Sequence, residues 1–176
     1  MPVGSRGVRN LTATNETART IAEVRNGNQD AKRRLPAVCW AAKFEDGKRH
    51  LESASWTGLA YMDIDHIIEF YNPEHLAATH PTKSDIAFAY YIDKLYGREE
   101  ELGIVHAQIS PSGDGLHIVF IPAVGDGNDL GKAQADFAQR AGIEKYDTAC
   151  KDLSRMLFLS PLNDTLYDAL DTLYDD

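Results

Sequence analysis

Two aspartates one residue apart, Asp63 and Asp65, close the apolar segment WTGLAYMDID of a 176-residue chain. In an extended strand successive side chains alternate, so Leu59, Tyr61, Asp63 and Asp65 share one face and Ala60, Met62 and Ile64 the other. Ionised carboxylates held that way repel, and a divalent cation is the simplest partner that keeps both charged. Oxygen ligands suit Mg²⁺ or Mn²⁺, bound by one or two carboxylates plus substrate phosphates. The plain alternative is an acidic strand end in water.

A second stretch, SPSGDGLHIVF from Ser110 to Phe120, places turn residues between apolar runs. Gly113 and Gly115 permit a tight turn that presents backbone N–H groups to an anion. Ser112 adds a hydroxyl, and His117 stands where it could donate to a phosphate oxygen. Asp114 is expected to point away to solvent. No G-x-x-x-x-G-K-[ST] occurs, so this is not a P-loop. The alternative is a hairpin with an incidental histidine. A third stretch, YDTACKDLSRMLFLS, holds Asp147, Asp152 and Arg155. Arginine is the natural fork for phosphate, or else it pairs with Asp152 at helical spacing. Paired carboxylates, a Ser/His loop, then an acid with an arginine make an inventory that fits two-metal phosphoryl transfer.

Composition narrows the partners. The net charge of −9 argues against a generally basic surface for duplex DNA. Residues 1–50 nevertheless carry ten of the 18 Lys and Arg and five of the 27 Asp and Glu, leaving −14 on the remainder. Cys39 and Cys150 form no metal-binding pattern and are expected to be buried in a reducing cytoplasm. No apolar stretch is long enough to span a bilayer, and no secretory leader is visible.

The elements that must position these residues follow from pattern. Residues 14–27 predict a helix capped by Thr14 or Asn15 and stopped by Gly27. NQDAKRRLP predicts a short helix ended by Pro36, AVCWAAKF a strand, and Asp46-Gly47 a turn. A helix follows near HIIEFY, and NPEHLAATHPTK is a loop or irregular helix. SDIAFAYYIDKLYGREEELG predicts one helix, capped near Ser84 or Asp85 and ended by Gly103. IVHAQIS and LHIVFIP predict strands flanking the Ser/Gly loop, GDGNDLGKAQADFAQRAG a loop and then a helix ended by Gly142, and RMLFLS a last strand. The acidic tail is a helix or a frayed end. This order argues a single α+β domain with a mostly antiparallel sheet and helices on one side.

YMDID, SPSGDGLHIVF and YDTACKDLSRMLFLS, in that order, resemble the archaeo-eukaryotic primase (primase-polymerase) superfamily. The closer resemblance is to the VirE-type N-terminal domain of bacterial and phage primase-polymerases, over roughly Arg25 to Asp164. The resemblance implies an RRM-like sheet with the acids on its face, within a domain often placed ahead of a helicase-like region. It implies a nucleotidyltransferase that adds nucleotides on single-stranded DNA during replication of a mobile element, phage or plasmid. Asp63, Asp65 and Asp147 would hold Mg²⁺ or Mn²⁺, with Asp152 the rival to Asp147. Ser112, Gly113, Gly115, His117 and Arg155 would contact the nucleoside triphosphate. Arg25, Lys32, Arg33 and Arg34 could track the template backbone. Trp40 and Trp56 could stack on bases or pack in the core. A rolling-circle nicking enzyme is disfavoured because the chain has no His-x-His. A binding module without catalysis is the remaining alternative.

Overall fold

The β-branched and apolar runs at residues 60–64, 104–109 and 116–120 pair into the central sheet because only there can all three bury both faces. A computed structural model of the chain describes residues 5–45, 47–73 and 80–173. Asp46 of the expected turn and residues 74–79 of the NPEHLAATHPTK segment lie outside the described residues. The fold is α+β. Helices α1 (Ser5–Thr12) and α2 (Asn15–Arg25) lead into short strands β1 (Ala37–Val38), β2 (Ala42–Phe44) and β3 (Ala54–Trp56), then β4 (Ala60–Ile64). Next come α3 (Lys83–Lys94), α4 (Glu99–Leu102), β5 (Ile104–Ile109), β6 (Leu116–Phe120), α5 (Leu130–Ala141), β7 (Leu157–Phe158) and β8 (Thr165–Asp168).

The four-stranded sheet has the order β4-β6-β5-β8, and each neighbouring pair is antiparallel. β4 and β5 therefore run parallel, with β6 inserted between them and α3 and α4 making the crossover. Helix α5 packs on β4 and α3 on β5. The face they cover carries Ala60, Met62, Ile64, Leu116, Ile118 and Phe120, all fully buried. Phe120 stacks on Phe137 of α5 with ring centroids 4.2 Å apart. Each such side chain contributes roughly 1.5–3 kcal/mol by leaving water. Two small ribbons, β1 with β7 and β2 with β3, complete the pairing.

Several elements differ from the sequence reading. The AVCWAAKF strand divides into β1 and β2, which pair with different partners. WTGLAYMDID divides at Gly58, whose φ of +87° bends the chain between β3 and β4. The long helix breaks after Lys94 and resumes as α4, with the left-handed Gly97 between. HIIEFY and NQDAKRRLP form 3₁₀ turns at Ile67–Glu69 and Gln29–Arg34. The acidic tail supplies β8, which closes the outer edge of β5. Helix α1 had no sequence signal beyond Val8, now a core residue.

Helix α3 starts at Thr82 rather than at Ser84 or Asp85. The Thr82 side chain accepts from the Asp85 N–H, and Asp85 accepts from the Thr82 N–H, a reciprocal capping box. Thr82→Ala is expected to cost about 1 kcal/mol. Urea denaturation followed by circular dichroism reads this as a lower midpoint at constant slope. Among the described residues no helix is long and apolar enough to cross a membrane.

Candidate functional site

On the sheet face away from α3 and α5, the strand register lines up three polar side chains. Asp63 of β4 stands opposite His117 of β6, which stands opposite Gln108 of β5. His106, also on β5, continues the row and stacks on Trp40 with centroids 5.5 Å apart. Alternation along β4 thus puts Asp63 opposite in sense to Met62 and Ile64, as the sequence implied. Polar groups at this depth need partners. Segment 152–160 crosses the row and supplies them. The Phe158 carbonyl accepts from Gln108 Nε2 at 2.8 Å and from His117 Nδ1 at 3.0 Å. Tyr61 donates to the Asp152 carbonyl at 2.8 Å.

Asp63, Asp65, Ser112, His117 and Arg155 line one cleft of about 410 Å³, together with Lys32 and Arg49. These residues come from five separate segments of the chain. Asp147 meets Asp63 from the side: its N–H donates to the Asp63 carbonyl at 2.8 Å. Ligand atoms of Asp63, Asp147 and Cys150 lie within 4.8 Å of one another. The Asp152 side chain is turned to Ser154, 2.6 Å away. Arg155 Nη2 reaches Asp147 at 3.9 Å and stays half-exposed.

Electrostatics follow from this crowding. Burial, then the charge on Asp147, pushes Asp63 up to about 6. Asp65 is raised by burial and by Asp63. Asp147 is held low, first by the Cys150 thiol, which donates to it at 2.7 Å. Burial lowers His117 to about 4, so its imidazole is neutral at physiological pH. The Cys150 thiol is pushed up to about 12 by burial and by Asp147. Cys150 is fully buried in the core, as the sequence suggested, with its thiol turned to Asp147, whereas Cys39 is only partly buried.

The Ser/Gly loop is built more tightly than a simple anion cradle. The Gly113 N–H donates to the Ser110 carbonyl at 2.8 Å, inside the turn. The Ser112 hydroxyl donates to Asp114 at 2.7 Å. Asp114 is buried rather than turned to solvent, and its partners are cations and hydroxyls, not the other acids. It receives Lys83 at 3.5 Å and His66 at 3.3 Å. Burial alone would raise it, but Ser112, Lys83 and His66 outweigh that and hold it below the usual carboxylate range. The protons of Ser112 and of His117 Nδ1 are therefore engaged within the protein. The groups that face the cleft with positive charge are Lys32, Arg49 and Arg155.

The other basic residues of the first third are placed differently. Arg25 binds Asp164 at 2.6 Å and the Pro111 carbonyl at 3.4 Å, bracing the loop. Arg33 pairs with Asp30 and Arg34 with Glu23 on the surface. Trp40 is buried, and the indole N–H of Trp56 donates to the Leu59 carbonyl. Arg49 and Gln108 escaped sequence reasoning. Arg49 lies in a charged loop with no motif, and Gln108 reads as an ordinary strand residue until β6 is laid beside it.

Among curated proteins and among solved structures nothing matches the chain. A family model described as BT4734-like, N-terminal domain, does match, over residues 30–167. That span is more than three quarters of the chain and contains every cleft residue named above, from Lys32 to Arg155. The chain belongs to the BT4734-like N-terminal domain family.

Proposed function

We propose that the chain is a metal-dependent nucleotidyltransferase of primase-polymerase type, adding nucleotides to a strand on a single-stranded DNA template. The observation that carries this reading is one cleft in which Asp63 and Asp65 converge with Lys32, Arg49 and Arg155 from distant segments, with Asp147 set against Asp63 beside it. A nucleoside triphosphate needs both kinds of group. Cations hold its polyphosphate, and carboxylates hold the divalent ions that such transfer requires.

The donor set fits a divalent ion. Asp63 Oδ1 is buried without a hydrogen-bond partner among the described residues. Its raised proton affinity reflects burial first and then the charge on Asp147, which Arg155 and Lys32 only partly offset. Mg²⁺ or Mn²⁺ held by Asp63, Asp65 and Asp147 would supply Lewis acidity toward the attacking hydroxyl and the leaving pyrophosphate. Arg155, Lys32 and Arg49 orient the polyphosphate. The sheet order, with β6 between parallel β4 and β5 and Asp63 on the face away from α3 and α5, supports an RRM-like catalytic core. Template contact in this reading falls mainly to Lys32 of the original basic set, since Arg25, Arg33 and Arg34 are ion-paired. A helicase domain or protein and a cytoplasmic setting accompany this reading.

The test is incorporation of labelled dNTP or NTP on a single-stranded template with Mg²⁺ or Mn²⁺. Wild type is expected to extend or initiate. The double variant Asp63→Ala, Asp65→Ala is expected to lose at least about a thousandfold in rate. Arg155→Ala is expected to raise KM for the nucleotide about tenfold. Tight nucleotide binding without incorporation, even with Mn²⁺, would establish a binding module in place of an enzyme.

A further inference from the structure

We propose that His117 Nε2 and Asp63 Oδ1 are two ligands of one divalent transition-metal ion, so that His117 binds metal and not phosphate. The inference rests on the reading of the cleft as a metal site but not on any transfer reaction.

The argument begins with the Phe158 carbonyl. A carbonyl oxygen only accepts, and it lies 3.0 Å from His117 Nδ1. The ring proton is therefore on Nδ1. Gln108 Nε2 also lies 3.2 Å from His117 Nδ1, and a proton on Nδ1 leaves that contact without a hydrogen bond, since Gln108 is satisfied elsewhere. Its Nε2 donates to that carbonyl at 2.8 Å, while its Oε1 accepts from the Ser160 N–H at 3.4 Å. With Nδ1 protonated, the neutral ring has its lone pair on Nε2, and a lone pair cannot donate to a phosphate oxygen.

That lone pair faces Asp63 Oδ1 at 3.5 Å, with side chains only 8% and 13% exposed. Neither atom can give the other a hydrogen bond when the carboxylate is ionised, and Oδ1 has no other partner among the described residues. Two buried electron-rich atoms so placed require something positive between them. Ligand atoms about 2.1 Å from a shared cation sit roughly 3–3.5 Å from each other, so the observed spacing needs little adjustment. Metal-binding histidines as a rule donate their other ring N–H to a carbonyl or carboxylate, which is the role Phe158 plays here. An imidazole nitrogen beside carboxylates favours Mn²⁺, Co²⁺ or Zn²⁺ over Mg²⁺, which prefers an all-oxygen shell.

The experiment is Mn²⁺ titration of the full chain, stripped of metal, followed by electron paramagnetic resonance. Pulsed measurements on the bound ion are expected to show coupling to ¹⁴N, replaced by ¹⁵N coupling when histidine alone is labelled. His66, which directly follows Asp65, is a rival imidazole. It is exposed and has a left-handed φ of 54°, a conformation asparagine tolerates. His66→Asn is expected to retain the nitrogen coupling. His117→Ala, checked for folding by circular dichroism, is expected to lose it and to weaken Mn²⁺ binding about tenfold or more. If His117→Ala does not fold, the labelled wild type and His66→Asn decide the matter. Bound Mn²⁺ without nitrogen coupling would overturn the role of His117 and leave the carboxylate site standing. Coupling lost in His66→Asn would assign the ligand to His66 instead. No Mn²⁺ binding at all would remove both readings and make the positive partner a proton on Asp63.

Discussion

Gly115→Ala is expected to destabilise the protein by about 3 kcal/mol or more, the largest stability effect of any single methyl group in the loop. A Cβ built at Gly115 falls 2.3 Å from the Ile64 carbonyl oxygen, 3.0 Å from the Ser110 hydroxyl and 3.3 Å from the Asp65 Cα. Two of those three atoms are backbone and belong to the strand end that carries the paired acids, so relief requires β4 and β6 to separate. Gly113 behaves differently. Its φ of +82° is unfavourable for alanine, and the new Cβ would meet the Ser84 hydroxyl at 2.8 Å and Arg25 Nε at 3.2 Å. Those are side-chain atoms that can move, so Gly113→Ala is expected to cost only about 1–2 kcal/mol. Urea denaturation of the two variants side by side checks the order. A Gly115→Ala midpoint equal to wild type would show that the loop does not press on β4. The two glycines thus have different reasons: one for its torsion angle, the other for the closeness of a neighbouring strand.

Asp63→Asn is expected to abolish nucleotide incorporation while making the metal-free protein more stable above pH 6. In the folded chain burial, then the charge on Asp147, holds Asp63 up at about 6, above its ordinary value of 3.8. Below the lower value both folded and unfolded chains hold the proton, and the residue imposes no penalty. As pH rises from there to the upper value, the unfolded chain releases its proton first and stability falls. Above it the full penalty stands, about 2–3 kcal/mol. Asparagine has nearly the same shape and no charge, so it removes the penalty and the pH dependence together. Denaturation in chelator at pH 5 and pH 8 measures this. Wild type should weaken between the two values, and Asp63→Asn should not weaken through this group. A variant less stable than wild type at pH 8 would mean that the carboxylate has a favourable partner in the apo protein. Gain of stability with loss of activity is the expected signature of a strained functional site.

The sequence was most legible where one short stretch determines its own geometry. The β5–β6 hairpin follows from Gly113 and Gly115 between apolar runs, and the placement of Asp63 away from Met62 follows from period-two alternation. The Thr14 cap of α2 and the Gly142 stop of α5 were likewise local. What stayed hidden was non-local. Nothing in TLYD announces that it will pair with β5, because the five acids of its tail suggest solvent. The split of AVCWAAKF depends on two different partners, each ten or more residues away. Arg49 and Lys32 enter the cleft because the chain folds over it, not because of any spacing to Asp63. The partners that take the protons of Ser112 and His117, Asp114 and the Phe158 carbonyl, were hidden for a related reason. A residue type gives the capacity to donate, but the neighbour that takes the proton is known only from the fold.

The carbonyl of Phe158 has an implication for any mutational survey of this protein. It fixes the His117 ring, yet it belongs to the main chain, and its own residue's side chain has no part in that bond. Every amino acid at position 158 supplies the same oxygen. An alanine scan would therefore score the loss of an aromatic ring there and be blind to the group that sets the imidazole's orientation. Its weight would emerge only through residues that hold the ribbon in place, such as the pairing of Ala37 with Phe158 and the bond from the Leu159 N–H to the Pro36 carbonyl at 2.8 Å. Changes around residues 36 and 37, remote in sequence from every acid in the cleft, are where that hidden determinant becomes visible to genetics.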